Sequence, residues 1–109
     1  KDMAVRTRNK QILPDELTGS TFTITNFGVF GVTVGTPIIN QPNVGILGVG
    51  AVKKQPVVVE SEQGDGIVIR SIMMISLGFD HRLIDGAGGA KFIERLRHYL
   101  ETMDLSQNL

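Results

Sequence analysis

The stretch IVIRSIMMISLGFDHRLIDGAGGAKFIERLRHYLE, residues 67–101, contains the change of pattern that decides the fold. Its first part, residues 67–79, is apolar and rich in β-branched side chains, which favours a strand. Its last part, residues 86–101, carries an apolar stripe at helical spacing and is predicted to be a helix. The stripe consists of Phe92, Ile93, Leu96, Tyr99 and Leu100. The sequence therefore predicts a strand that passes through a short polar turn into a closing helix.

The rest of the chain is predicted to be mostly sheet. We expect strands at residues 20–25, 43–52 and 57–60, a turn at 53–56, and a hairpin loop at 61–66. We also expect helical turns at residues 1–8 and 14–17, a glycine-rich loop at 26–36 and a tail at 102–109. The fold class that follows is mixed α/β, dominated by sheet and closed by one long helix.

Composition excludes several classes of protein. The 109 residues are enough for about one small domain or for a piece of a larger one. Eleven basic and eleven acidic residues cancel, so no nucleic-acid partner and no polybasic membrane contact are expected. No cysteine occurs, so any thiol in the chemistry arrives with a substrate. No apolar stretch has the length of a membrane span, and we expect a soluble protein of the cell interior.

His81 is the first candidate for a catalytic residue, because it lies where the predicted strand ends and the helix begins. Histidine has the unperturbed pKa nearest neutrality, so it can take up a proton and return it within one turnover. A structural histidine bound to backbone groups is the alternative. Asp85, four residues later, either orients the site or caps the helix, and the cap is the simpler interpretation. We assign no role to His98.

Asp80 and Arg82 flank the histidine and are expected to form an ion pair that holds the turn. A metal site built from Asp80, His81 and Asp85 is disfavoured because neighbouring residues at a strand end point in opposing directions, so we expect no metal. The second candidate group is a series of hydroxyls, and among them Thr25 is best placed to donate a hydrogen bond to an oxyanion. The series consists of Ser20, Thr21, Thr23 and Thr25. Ordinary β propensity explains the threonines equally well.

Three segments in this order resemble one protein family. They are GSTFTITN at residues 19–26, TPIINQP at 36–42 leading to GILG at 45–48, and DHRLIDG at 80–86. Together they look like the C-terminal half of the catalytic domain of the dihydrolipoamide acyltransferases, the E2 components of 2-oxo acid dehydrogenase complexes. The histidine motif is shared with chloramphenicol acetyltransferases, but the first two segments favour the E2 branch. The resemblance implies a chloramphenicol acetyltransferase-like mixed-sheet sandwich, here its C-terminal half.

The resemblance also implies acyl transfer between dihydrolipoamide and coenzyme A, with the lipoyl group carried on a separate domain. His81 matches the general base, Asp85 the position that supports the active-site geometry, and Thr25 the hydroxyl that stabilises the oxyanion. Asp80, Arg82 and Gly86 would shape the turn. Three apolar residues of the glycine-rich loop are expected near the acyl pocket or channel, namely Phe27, Phe30 and Val32.

Family members form trimers with the active site between subunits, and the trimers build cubic or dodecahedral cores. By that resemblance we expect self-association here, with E1 and E3 components bound through domains that these residues do not include. Residues 1–109 would be the C-terminal part of the catalytic domain, without its N-terminal half or the lipoyl and subunit-binding domains. The alternatives are a non-catalytic scaffold of the same fold and a chloramphenicol-type O-acetyltransferase. The acyl group, the core size and the compartment, bacterial cytoplasm or mitochondrial matrix, stay open.

Overall fold

A computed structural model describes residues 1–103, apart from the side chain of Leu17. Two α-helices and five strands make up the chain, with short 3-10 helices at Pro14–Leu17 and Gly28–Phe30. The helices are α1 (Asp2–Arg8) and α2 (Gly86–Glu101), and the strands are β1 (Thr23–Asn26), β2 (Gly45–Val49), β3 (Lys53–Val59), β4 (Gly66–Ile72) and β5 (Ile75–Phe79). The long closing helix has the predicted bounds. Most of the predicted tail, residues 104–109, lies outside the described residues.

The strands form two sheets of unequal size. In the larger sheet β2 lies in the middle, parallel to β1 and antiparallel to β5. Strands β3 and β4 form an antiparallel hairpin of their own. The two pairings continue one another, because Val49 pairs with Ile75 and, a few residues further, Lys53 pairs with Ile72. Strands β2 to β5 are therefore one long two-stranded ribbon with a bend in it.

That bend corrects two of the predictions. Residues 67–79 were expected to be one strand, but the strand stops after Ile72 and resumes at Ile75 in the other sheet. Residues 53–56 were expected to turn the chain, but they begin β3, and residues 50–52 make the bend instead. The backbone N–H of Gly50 donates to the carbonyl of Met74 across the bend at 2.9 Å. Pro56 is tolerated in β3 because a two-stranded ribbon leaves an outer edge where its missing N–H costs no pairing.

The core lies on β2. Ile46 and Leu47 are buried there, and the polar Asn43 is buried just before the strand. Helix α2 packs against β5, and its Phe92 ring lies 6.1 Å, centroid to centroid, from the ring of Phe22, the residue just before β1. The expected apolar stripe of α2 is only partly used, since Tyr99 stays more than half exposed.

Much apolar surface stays exposed in the described residues. The radius of gyration is 17.6 Å, whereas a compact domain of this length has a radius of gyration of about 13 Å. Ile38, Phe30 and Ile67 are 90%, 84% and 77% exposed. Apolar surface on this scale is typical of regions that contact further polypeptide. None of the helices in residues 1–103 has the length and apolarity needed to cross a bilayer.

Candidate active site at the strand-helix turn

The turn between β5 and α2 is held by Asp80. Its carboxylate accepts the backbone N–H of Arg82 at 3.0 Å and two guanidinium N–H groups of the same residue at 2.9 and 2.8 Å. Its backbone N–H donates to the carbonyl of Val44 in the chain leading to β2, and its carbonyl accepts from Leu83 and Ile84. The guanidinium of Arg82 holds the pKa of Asp80 at about 2, below the usual value for Asp, so the pair is charged at neutral pH. The expected ion pair is present, and it fixes the backbone on both sides of His81.

His81 lies on the outside of this turn and is exposed. Its imidazole packs on the ring of Phe79, with the ring centroids 5.6 Å apart and an angle of 35° between the planes. A side chain that exchanges a proton with a substrate must be reachable from solvent, and this one is. The structure therefore presents the histidine of the motif at a fixed backbone position with an accessible ring.

Asp85 caps the long helix. Its backbone is extended, and Oδ1 accepts the N–H of Gly88 at 2.6 Å, as an N-cap carboxylate does. Within residues 1–103 no hydrogen bond joins Asp85 to His81. A Cβ on Gly88 would lie 2.9 Å from that same Oδ1, which explains the glycine, whereas a Cβ on Gly86 would meet nothing within 4 Å. The cap interpretation thus describes what the carboxylate does in a single chain.

Thr25 lies at the other end of the larger sheet. It pairs with Gly48 of β2, and Gly48 pairs with Ser76 of β5. Thr25 is half-buried while its neighbour Ile24 points outward, 68% exposed, so Thr23 and Thr25 share the inner face. Thr21 precedes the strand and does not belong to that face.

The strand register separates Thr25 from His81. From Thr25 the path crosses two strand spacings to Ser76 and then runs along β5 into the turn. With spacings of about 4.8 Å between strands and 3.3 Å per residue, the two residues lie roughly 15–20 Å apart. The structure does not bring them together within one chain.

The loop after Thr25 carries the three residues expected near an acyl pocket, and each of them has a different environment. The Phe27 ring fills the space over Gly35 and Gly48, where a Cβ on either glycine would come within 2.9 Å of it. Phe30 is exposed, and the carbonyl of Val32 accepts the N–H of Ala51 at 2.9 Å. All three belong to the Thr25 end of the sheet. The His81 ring, by contrast, packs on Phe79.

Two features of the site were missed by reasoning from the sequence. Asn43 is buried, donates to the hydroxyl of Ser20 at 3.0 Å and accepts from that of Thr23 at 3.3 Å, so it ties the start of β1 to β2. Phe79 separates the His81 ring from Gly89 of the helix. The Asn43 contact had a signal, an amide directly before a glycine-aliphatic strand, whereas the Phe79 contact had none.

The sequence matches the profile of the family described as 2-oxoacid dehydrogenases acyltransferase (catalytic domain) over residues 1–107. The chain belongs to this family. It is similar to the dihydrolipoyllysine-residue acetyltransferase component of the pyruvate dehydrogenase complex of Corynebacterium glutamicum, with 42% identity over 99% of the chain and 16% of the relative. It is also 41% identical to the succinyltransferase component of the 2-oxoglutarate dehydrogenase complex of Buchnera aphidicola, over 93% of the chain and 24% of that relative.

Solved structures give the same result for the fold. The dihydrolipoamide acetyltransferase of Azotobacter vinelandii superposes with a TM-score of 0.82 at 38% identity, covering 94% of this chain and 40% of that one. That structure was studied for the role of a serine, a histidine and an asparagine in catalysis. The cubic core of a pyruvate dehydrogenase multienzyme complex gives a TM-score of 0.82 at 37% identity, with 94% and 40% coverage. The expected α/β acyltransferase fold is confirmed, and the chain spans less than half the length of the proteins it matches.

Proposed function

We propose that residues 1–109 are the C-terminal part of an acyltransferase catalytic domain. The reaction moves an acyl group between the thiol of dihydrolipoamide and that of coenzyme A, as in the E2 core of a 2-oxo acid dehydrogenase complex. The observation that carries the proposal is the exposed His81 on a turn fixed by Asp80 and Arg82, in a chain of this family. The absence of cysteine agrees with a reaction in which both thiols belong to substrates.

His81 acts as the base in this proposal. The imidazole takes the proton of the attacking thiol, and the thiolate attacks the thioester carbonyl to give a tetrahedral oxyanion. When the oxyanion collapses, the bond to the original sulfur breaks, and the leaving thiolate takes the proton back from the imidazolium. Donors placed at the oxyanion lower the barrier for both steps. Thr25 supplies such a donor, and because of its distance it does so for the histidine of a neighbouring chain.

The Azotobacter vinelandii protein supports this assignment of residues. Its asparagine lies four positions after its histidine, as Asp85 does after His81. Its serine lies 52 positions before the histidine, and Thr25 lies 56 before His81, so the two spacings differ by four residues. Asp and Asn are both good N-caps, so the acid in this chain preserves the helix start. Threonine preserves the hydroxyl donor.

Assembly follows from the same proposal. Thr25 and His81 of different chains form one site, so the protein works as an oligomer. The similarity to the cubic core of a pyruvate dehydrogenase complex supports trimers that build a cubic or dodecahedral core. Relatives named as components of pyruvate and 2-oxoglutarate dehydrogenase complexes support association with E1 and E3 components through domains outside residues 1–109. The lipoyl group arrives on one of those domains. Relatives from bacteria favour a cytoplasmic location over a mitochondrial matrix.

The test is acyl transfer from acetyl-, succinyl- and isobutyryl-CoA to dihydrolipoamide by the full-length protein. His81→Ala should lose on the order of a hundredfold or more in rate at unchanged particle mass, because the base is gone. His98→Ala is the matched control, since it removes the chain's other histidine, on the exposed side of α2. The preferred donor names the acyl group. Equal rates for the wild type and His81→Ala would refute the proposal and leave a scaffold of the same fold.

A further inference from the structure

The ring of Phe79 lies between helix α2 and the imidazole of His81. On one side it touches Gly89, where a Cβ would come within 2.4 Å of Cε1, 2.6 Å of Cζ and 2.9 Å of Cδ1. On the other side its centroid is 5.6 Å from that of the His81 ring. Gly89 is the buried residue of α2. Any side chain at this position would displace the Phe79 ring. The three residues form a stack from the helix to the imidazole.

The stack restricts the side-chain orientation of His81, which the hydrogen bonds of the turn do not determine. The hydrogen bonds of Asp80 determine the backbone around His81, but an exposed side chain on a fixed backbone still has several rotamers. The Phe79 ring cannot move toward the helix, because Gly89 is already in contact with it. It is also anchored at its backbone, where Phe79 pairs with Gly45 of β2. An imidazole that packs on this ring is favoured in the orientation of the contact over its other rotamers.

We propose that Phe79 is a positioning residue for His81, and that Gly89 sets the place of the Phe79 ring. This inference rests on the proposed function, because it assigns a role in orienting the base. Phe79 does not exchange protons and acts only through the imidazole. Acyl transfer requires the base nitrogen within hydrogen-bond distance of the thiol, and small misplacements of a catalytic group are expensive in rate.

Loss of the ring should therefore lower kcat and leave KM nearly unchanged. We expect Phe79→Leu to reduce kcat by on the order of tenfold, since the base spends less time in the productive orientation. KM for dihydrolipoamide and for CoA should stay within about twofold, because the substrate contacts are intact. Phe79→Tyr keeps the aromatic face and should restore kcat. Gly89→Ala should act in the same direction as Phe79→Leu, since its methyl group displaces the ring.

The experiment compares kcat and KM of the full-length protein with those of Phe79→Leu, Phe79→Tyr, Gly89→Ala and His81→Ala. Phe92→Leu is the matched control, because Phe92 is a half-exposed aromatic residue whose ring packs on Phe22 and not on His81. Particle mass is measured for each variant. If Phe79→Leu fails to assemble, Phe79→Met takes its place, since it keeps most of the volume and loses the ring.

A fall in kcat for Phe79→Leu and for Gly89→Ala, with wild-type kcat in Phe92→Leu and in Phe79→Tyr, supports the inference. Wild-type kcat in Phe79→Leu beside an inactive His81→Ala overturns it and leaves the proposed function intact. A fall of equal size in Phe92→Leu, or a change in KM in place of kcat, also overturns it, because either indicates general loosening or a substrate contact. Full activity of His81→Ala would instead overturn the proposed function.

Discussion

Two inactive variants of this protein should restore activity to each other when they assemble together. Thr25 and His81 lie at opposite ends of the larger sheet, roughly 15–20 Å apart by the strand register. That distance is too long for both side chains to contact the same tetrahedral intermediate. With Thr25 as the proposed oxyanion donor and His81 as the proposed base, each site takes its histidine from one chain and its threonine from a neighbour. Thr25→Ala and His81→Ala damage different chains of the same site.

The size of the effect follows from mixing. Alone, Thr25→Ala should lose on the order of a hundredfold in kcat as an oxyanion donor, and His81→Ala at least as much as the base. In trimers assembled at random from equal amounts, a site is intact when its histidine comes from a Thr25→Ala chain and its threonine from a His81→Ala chain. In a ring of three equivalent interfaces about one quarter of the sites meet this condition. We expect about a quarter of wild-type activity for cores built of many trimers, and about a third for single trimers selected through both tags, because each mixed trimer has one intact interface out of three.

The assay is acyl transfer by particles from cells that express both full-length variants, each with its own affinity tag, purified through both tags in sequence. Thr23→Ala is the control for Thr25→Ala, because Thr23 shares the inner face and its hydroxyl donates to Asn43. Particles mixed from Thr23→Ala and His81→Ala should keep about half of the wild-type activity by the same counting. A mixture of the two inactive variants that is no more active than either one would refute the intersubunit site.

Three further outcomes can be measured as thermal midpoints of the full-length protein. Gly50→Ala should cost about 3–5 kcal/mol in overpacking and lost backbone hydrogen bonds, because its Cβ would lie 1.8 Å from the Thr33 carbonyl oxygen. That cost should lower the midpoint by roughly 6–20 °C. Gly66→Ala, with open space around it, should change the midpoint little. Asp80→Asn should lower the midpoint at neutral pH and not at pH 2. A carboxyl whose folded pKa is lowered to about 2 contributes stability above its unfolded pKa and loses it as the pH falls through 2. Equal effects at both pH values would contradict the ion-pair argument. Asp85→Ala should cost about 1 kcal/mol as a lost N-cap, whereas Asp85→Asn should cost little.

The sequence predicted the features that depend on nearby residues. Helix α2 was found with its bounds, because an apolar stripe at helical spacing follows an N-cap residue. The hairpin of β3 and β4 was found from its loop, where Gly64 has a positive φ of 116°. The position of His81 between a strand and a helix followed from these local patterns.

Features that depend on distant partners were not predicted. The run at residues 67–79 is uniformly apolar, and only the pairing of its second half with β2 shows that it breaks at Met73 and Met74. The separation of Thr25 from His81 depends on the strand order β1-β2-β5, which no single segment contains. The contact of Phe79 with His81 depends on how closely α2 packs against β5. The presence of Gly89 in the first turns of the helix does not reveal that distance.

The bent ribbon of β2 to β5 has a consequence for the order of folding. Strands β2 and β5 are joined by residues 50–74, a long loop whose closure is entropically slow. Strands β3 and β4 are joined only by a short turn and pair locally, which takes microseconds in small hairpins. Once they have paired, Lys53 lies beside Ile72, and the ends that must meet, Val49 and Ile75, are already neighbours. Pairing of β3 with β4 thus brings β5 beside β2, and with β5 the turn that carries His81, although the hairpin itself contains neither His81 nor Thr25.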